Sequence, residues 1–232
     1  MEEGKTGNPL GGDASPAPPG PAPPAAPGGR RAPPRADLGP AQPFPFRLVW
    51  VFYGAMAVLA VVWRALFDGS LPWAVPGADA LPVAQRIGAG LAAGALGLTA
   101  SWAWIATSPR AARLSAELAR MIGPMGAGAA WGVAFASGFA EEILFRGALQ
   151  PHLGWLLASV LFGAVHYLRG RDLWIWAVYA TISGLGLGAL FAWSGDVLAP
   201  AVAHTVLNGV QLSRLGRRNR ARALSRRPAS GP

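Results

Sequence analysis

Long apolar runs alternate along the chain with short segments that are polar or contain glycine and proline. An apolar run of about 20 residues is long enough to cross the hydrocarbon core of a bilayer as an α-helix. The pattern predicts six such helices, at 48–67, 87–107, 126–149, 155–168, 173–193 and 197–212. The predicted fold class is therefore an all-α integral membrane protein, with about six transmembrane helices.

The segments between these runs differ in character. Residues 68–84 contain several prolines and glycines, and their pattern fits either a loop or a short re-entrant piece. Residues 108–123 combine charged and apolar positions, which favours an amphipathic helix in the membrane interface. Residues 150–154 include Pro and Gly and predict a tight turn, so the third and fourth runs are expected to lie antiparallel.

The same pattern divides the chain into three parts. Residues 1–45 are rich in Pro, Gly and Ala, lack the apolar residues needed for a core, and are predicted to be a disordered tail. Residues 46–212 form the predicted transmembrane domain, and its part 126–212 carries the candidate catalytic residues. Residues 213–232 form a predicted arginine-rich C-terminal tail.

Composition agrees with a membrane protein. The chain is 52% hydrophobic and only 13% charged, which excludes an ordinary soluble domain. Its ten tryptophans suit membrane interfaces and its 31 glycines suit closely packed helices. The glycine-rich segment 183–188 is likewise interpreted as a site of close helix packing. A nucleotide-binding loop would follow a β-strand, and no strand precedes this segment. The absence of cysteine excludes disulfides and a thiol nucleophile.

Charge is unevenly distributed. The net charge is +9, and seven of the twenty basic residues are arginines within the last 19 positions. Such a tail favours contact with anionic lipid, and we expect no nucleic-acid partner. The basic residues of 108–123 and 169–172 fall at the same end of the predicted bundle as this tail. The positive-inside rule therefore predicts that both termini are cytoplasmic.

Three charged residues interrupt the third apolar run: Glu141, Glu142 and Arg146. A charge at the centre of a bilayer costs about 3 kcal/mol even on the most lenient insertion scale, so these residues require partners. Glu142 and Arg146 are spaced for an ion pair within one helix, with the acid on the favourable N-terminal side. Glu141 is then left to find a polar partner on another helix.

Two further pairs supply such partners: Phe162 with His166, and His204 with Asn208. Each pair is four residues apart, so its two side chains share one face of a helix. Glu141 and His166 are equally distant from the predicted turn, and His204 lies at a similar depth in the last run. The sequence therefore predicts one polar cluster built from three helices.

The chemistry of this cluster suits peptide hydrolysis. Glu141 beside His166 can hold and deprotonate a water molecule as a general base. His204 and Asn208 can donate hydrogen bonds to the oxyanion that forms when water attacks a carbonyl. Two other classes remain open: a membrane transporter or proton relay that uses the same groups, and a non-catalytic immunity or scaffold protein.

The three pairs, read as EExxxR, FxxxH and HxxxN, resemble the motifs of the CPBP family of intramembrane endopeptidases (CAAX protease and bacteriocin-processing, also called Abi). The resemblance covers about 126–212 and implies an integral, multi-pass protein of a bacterial inner (cell) membrane. It implies Glu141 as the base, His166 as its partner on the water, and His204 with Asn208 as the oxyanion hole. It implies a supporting and orienting role for Glu142 and Arg146.

The resemblance also implies a membrane-associated peptide or protein as the substrate, cleaved in C-terminal tail processing or sorting. Phe145 and Phe162 are expected to line the substrate pocket. We favour a glutamate-dependent mechanism without a cofactor. Zinc stays open as an alternative, because Glu141, His166 and His204 form a ligand set of two histidines and one carboxylate.

Overall fold

The computed structural model describes Met1, residues 46–170 and residues 172–224. Within these ranges the chain is all-α, as predicted, with one isolated β-bridge between Ala74 and Asp196. The helices are α1 (Phe46–Asp68), α2 (Val83–Thr107), α3 (Pro109–Ile122), α4 (Ala127–Glu142), a π-helical segment (Ile143–Leu149), α5 (Gln150–Val165), α6 (Trp174–Ser194) and α7 (Leu198–Leu224). The predicted tail 1–45 lies outside the described residues, apart from Met1, and so do residues 225–232.

Four helical stretches of the described chain are long and apolar enough to cross a membrane: Arg47–Asp68, Val83–Thr107, Ala127–Val165 and Trp174–Ser194. The third stretch is a hairpin, because the side chains of Glu141 and His166 lie 3.7 Å apart. Twenty-five residues of unbroken α-helix would separate them by about 37 Å. The integral membrane fold is thus as predicted, and the count of six spans stays a prediction.

The hairpin reverses at Gly154, and this corrects the predicted turn. Residues 150–153 are helical, and only Gly154 leaves the helical conformation, with φ 77° and ψ 161°. Glycine adopts positive φ readily because it has no Cβ. Pro151 fits the first turn of α5, where its missing N–H removes no helical hydrogen bond. The antiparallel pairing is as predicted, but the turn is shorter.

Helix ends differ from the prediction at several points, and the choice left open for residues 68–84 falls on the loop. Helix α5 ends at Val165 rather than at 168, which puts His166 at the end of the helix. Helix α7 continues to Leu224 rather than ending at 212, so the first part of the predicted arginine-rich tail is helical. Residues 69–82 form a loop, and the fully buried Pro72 of this loop packs against Gly147.

Helix ends follow the local sequence. Helix α3 begins after Ser108, whose side chain accepts a hydrogen bond from Ala111 N–H (3.3 Å), and Pro109 occupies its first turn. Helix α6 ends at Ser194, and the capping residue Gly195 adopts the left-handed conformation (φ 85°) common at C-terminal caps. The chain therefore reverses direction after α6 and enters α7 within a few residues.

The connections gather at two ends of the bundle. At one end, Arg86 pairs with Asp196, and His152 lies 3.4 Å from Asp68. At the other end, Arg113 pairs with Asp172 at 2.8 Å. This grouping agrees with the predicted alternation of the helices, whereas the assignment of one end to the cytoplasm stays a prediction.

Glycines bring the helices that carry the candidate site into close contact. A Cβ added to Gly138 of α4 would lie 2.9 Å from the backbone nitrogen of Thr205 in α7. A Cβ on Gly184 of α6 would lie 3.2 Å from the Phe162 ring and 3.3 Å from the Arg146 guanidinium. Gly184 and Gly188 therefore serve helix packing, as predicted, while Gly186 faces open space.

Candidate active site

The candidate site begins where α4 becomes the π-helical segment. Glu141 and Glu142 are the last two residues of α4, and Arg146 lies within the π-helical turns that follow. Short π-helical segments are rare and occur frequently at functional sites. The predicted ion pair forms across this junction, with Arg146 Nε 3.0 Å from Glu142 Oε2.

Glu142 has partners on both of its oxygens. Its Oε2 accepts from Arg146, and its Oε1 lies 2.8 Å from His204 Nδ1 on α7. Glu142 and Arg146 are both fully buried, and the Arg146 guanidinium lies 5.0 Å from the centre of the Phe162 ring. A buried charge is tolerated only with such partners. The contact of Glu142 with His204 joins α7 to α4.

Glu141 faces the two histidines, as the sequence predicts. Its Oε2 lies 3.7 Å from His166 Nε2 and 3.9 Å from His204 Nε2. These separations exceed a direct hydrogen bond, and Oε2 has no hydrogen-bond partner. Glu141 is 6% exposed and His204 is 5% exposed, so this contact is almost closed to solvent.

Hydrogen bonds fix the orientation of both imidazole rings. His166 Nδ1 lies 2.7 Å from the carbonyl oxygen of Phe162, which can only accept. His204 Nδ1 faces the Glu142 carboxylate in the same way. Each Nδ1 is therefore assigned a proton, and each Nε2 is directed toward Glu141. The two rings present the same nitrogen to one carboxylate oxygen.

Asn208 lies one helical turn beyond His204, and its amide donates to the hydroxyl of Ser137 at 3.1 Å. Ser137 is itself one turn before Glu141 on α4. Helices α4 and α7 thus pair Glu141 with His204 at one level and Ser137 with Asn208 at the next. The predicted His/Asn face of α7 is directed toward the helix that carries the two glutamates.

Phe145 and Phe162 form a buried core beside the polar groups. Their ring centres lie 5.1 Å apart in an edge-to-face contact, and they are 3% and 2% exposed. The Phe162 ring also lies 4.6 Å from that of His166 and 5.9 Å from that of His204. In this structure Phe162 packs against both histidines and Phe145 packs against Phe162. The predicted contact of Phe145 and Phe162 with substrate stays a prediction.

A cavity of about 550 Å³ reaches the site from the side. It lies between α2, α6 and α7, and His204 is part of its lining. Most of its other wall residues are apolar or glycine, including Gly97, Ile182 and Leu190. An apolar segment can therefore approach His204 between helices.

The sequence analysis missed two residues of this cluster, Tyr53 and Ser137. The Tyr53 side chain on α1 lies beside Glu141 and Ser137. Ser137 carries a weak signal, because it precedes Glu141 by four residues and so shares its helix face. Tyr53 carries none, since a single tyrosine in an apolar run is ordinary.

Similarity to known proteins is found in the segment that carries the candidate site. Residues 124–210, which contain all three motifs, match the family model described as type II CAAX prenyl endopeptidase Rce1-like. A curated relative, the uncharacterized protein YpbD of Bacillus subtilis (strain 168), is 39% identical over 72 residues, which cover 31% of this chain and 38% of that protein. No solved structure matches the chain. Residues 124–210 are therefore similar to the Rce1-like family, in agreement with the resemblance to CAAX proteases.

Proposed function

We propose that this protein is an intramembrane endopeptidase that hydrolyses a peptide bond in a membrane-associated protein or peptide. The observation that carries the proposal is the approach of Glu141 Oε2 to within 4 Å of the Nε2 atoms of His166 and His204. These groups come from three parts of the chain and meet in a nearly closed site, which is how general acid–base sites are built.

In the proposed reaction Glu141 is the general base. Two atoms 3.7 Å apart, such as Glu141 Oε2 and His166 Nε2, can both lie about 2.8 Å from one water oxygen, the usual hydrogen-bond distance. The water donates one proton to Glu141 and a hydrogen bond to His166 Nε2 while its oxygen attacks the carbonyl carbon. Glu141 then passes that proton to the leaving amine nitrogen as the C–N bond breaks.

His204 and Asn208 are proposed to stabilise the oxyanion. For this role His204 carries protons on both nitrogens, and the Glu142 carboxylate at Nδ1 balances the charge. Asn208 uses one amide N–H on Ser137 and keeps the other for the substrate oxygen. Donors held in place in this way act most strongly where water is excluded.

We propose that the reaction requires no metal ion. Ligand atoms of a tetrahedral zinc ion, about 2.0 to 2.1 Å from the metal, lie about 3.3 Å from one another. The separations of Glu141 from His166 and His204 are 3.7 and 3.9 Å, longer than this value, and a water about 2.8 Å from each atom fits between them. The alternative of zinc on these three residues predicts loss of activity with a chelator and recovery on adding zinc.

The proposed substrate is a C-terminal segment held at the membrane, cleaved in tail processing or sorting. The family description names CAAX prenyl endopeptidases, and the apolar cavity beside His204 suits a lipid-embedded segment. Arg214, which lies over the Trp102 ring at 5.3 Å, is proposed to contact anionic lipid at the end of α7. The proposed location is a bacterial inner membrane, with both termini in the cytoplasm.

The test is cleavage of membrane-anchored C-terminal peptides by the purified protein in liposomes. We expect Glu141→Gln to lower the rate by about 100-fold or more, the contribution typical of a general base. Glu117→Gln makes the same change on the exposed surface of α3 and serves as the matched control. Cleavage by Glu141→Gln at the rate of Glu117→Gln would contradict the proposal.

A proton relay is the second candidate, favoured by the row of polar groups from Asn208 through Ser137 and Tyr53 to Glu141. It predicts proton flux across liposomes that carry a pH-sensitive dye inside. Flux that is present in the intact protein and lost in Glu141→Gln, without peptide cleavage by either, would favour the relay.

A further inference from the structure

We propose that Tyr53 is a positioning residue for the general base, an inference that rests on the function proposed above. Its hydroxyl donates a hydrogen bond to Glu141 and so holds the carboxylate with Oε2 toward the two histidines. Tyr53 lies in α1, outside the segment 124–210 that matches the family model. The first helix thereby becomes part of the active site rather than only part of the bundle.

Placement supports this role. Helix α1 packs against both α4 and the π-helical segment, on either side of the two glutamates. Tyr53 is partly buried there, and its hydroxyl faces Glu141 and Ser137. An ionised carboxylate can only accept hydrogen bonds, so the phenol must be the donor to Glu141.

The directions of the neighbouring hydrogen bonds agree with Tyr53 as the donor to Glu141. Asn208 donates its amide N–H to Ser137, which leaves the Ser137 hydroxyl proton for Ala134 O (3.2 Å) or the Tyr53 oxygen. With the second choice, each member of the series Asn208, Ser137, Tyr53 donates to the next, and the series ends on Glu141. The network therefore links an oxyanion donor to the base through three helices.

The network also gives the two oxygens of Glu141 different tasks. Oε2 faces the Nε2 atoms of His166 and His204 and has no hydrogen-bond partner. Because Oε2 has no partner, we assign the phenol to Oε1, which leaves Oε2 to accept the proton from water. Without that bond the carboxylate is free to rotate about its last torsion, which is broad for glutamate, and the reactive geometry is populated less often.

The experiment is Tyr53→Phe, which removes the hydroxyl and keeps the ring. We expect kcat to fall about 10- to 100-fold, the range for one hydrogen bond to a charged group, with KM within about twofold. Tyr167→Phe is the matched control, since Tyr167 is 60% exposed and has no assigned role. Wild-type kcat in Tyr53→Phe, or a change confined to KM, would overturn the proposal.

A double-mutant cycle separates a network from simple packing. If Tyr53 acts through the series, Tyr53→Phe combined with Ser137→Ala loses less kcat than the product of the two single losses. Independent, multiplicative losses would contradict the series. Glu141→Gln is measured in parallel: if it is inactive while Tyr53→Phe equals wild type, only the role of Tyr53 fails. If Glu141→Gln is active, the proposed function itself fails.

A spectroscopic measurement tests the contact without relying on turnover. The infrared band of the Glu141 carboxyl group is identified by its loss in Glu141→Gln. We expect Tyr53→Phe to shift this band, because the carboxylate loses a donor, and Tyr167→Phe to leave it in place. An unshifted band in Tyr53→Phe would overturn the proposal even if no peptide substrate is cleaved.

Discussion

At the scale of single residues, the two adjacent glutamates have opposite surroundings. Glu142 is fully buried and bonded on both oxygens, to Arg146 and to His204. Glu141 keeps an oxygen without a hydrogen-bond partner opposite two histidines. One carboxylate is thus held in place, while its neighbour is left able to accept a proton.

Removal of Arg146 should destabilise the fold. Arg146→Ala leaves the Glu142 carboxylate buried with one partner fewer, and breaking a buried pair in this way costs about 3 to 5 kcal/mol. Thermal unfolding in detergent measures the loss. Arg120→Ala is the control, because Arg120 pairs with Glu117 on the exposed surface, where such pairs contribute about 0 to 1 kcal/mol. Equal losses in the two variants would contradict this role for Arg146.

Removal of the Asn208 amide should affect catalysis more than stability. Loss of one oxyanion donor lowers kcat by about 100- to 1,000-fold in enzymes that use such donors. We therefore expect this range for Asn208→Ala in the cleavage assay, with little change in KM. Asn219→Ala is the control, since Asn219 lies on the same helix and bonds to Gly123 O. A kcat close to that of Asn219→Ala would remove Asn208 from the oxyanion hole.

At the scale of elements, contact between α4 and α7 sets the geometry of the site. Gly138 allows this contact, because its missing Cβ leaves room for the backbone of Thr205 and for Ala201 O. Glu141 lies three residues after Gly138, and His204 lies directly before Thr205. A change in the spacing of the two helices therefore alters the distance between Glu141 and His204.

Gly138→Ala should separate these helices. The added Cβ would lie 2.9 Å from Thr205 N, so the backbone must shift, at a typical cost of about 1 to 3 kcal/mol. We expect a lower melting temperature together with lower kcat. Gly128→Ala is the control, because it lies on the same helix with no atom within 4 Å, and alanine favours a helix there. A stable, fully active Gly138→Ala would show that the spacing is not critical.

Sequence reasoning predicted most of the candidate site at this scale. Four-residue spacing assigned Glu142 with Arg146, and His204 with Asn208, to common helix faces, and the hairpin midpoint matched Glu141 with His166. It made the turn too long, because composition alone does not show that only Gly154 of residues 150–154 leaves the helical conformation. It missed Tyr53, because only tertiary packing brings α1 beside Glu141.

At the scale of the whole molecule, the described connections form two sets at opposite ends of the bundle. The loop 69–82 bonds to the start of α7, with Val197 N–H donating to Trp73 O at 2.8 Å. At the other end, Asn219 of α7 donates to Gly123 O at 2.8 Å, beside α3. The second set of connections contains more basic residues than the first, which favours the cytoplasmic side for that end of the bundle.

Labelling of single cysteines tests this orientation. The chain has no cysteine, so a variant with one introduced thiol has no background. Asp79→Cys in the loop and Glu117→Cys on α3 replace exposed acids at the two ends. We expect an impermeant maleimide added to intact cells, with their outer membrane permeabilised, to label Asp79→Cys and not Glu117→Cys. The reverse result would invert the proposed topology.

The account depends on a water that Glu141 activates and that becomes part of the new carboxyl group of the substrate. The most direct measurement is cleavage of a membrane-anchored peptide in ¹⁸O-enriched water, followed by mass spectrometry of the new C-terminus. We predict one ¹⁸O atom per product with the intact protein, and product formation about 100-fold or more slower with Glu141→Gln. Labelled product formed by Glu141→Gln at the intact protein's rate would contradict it.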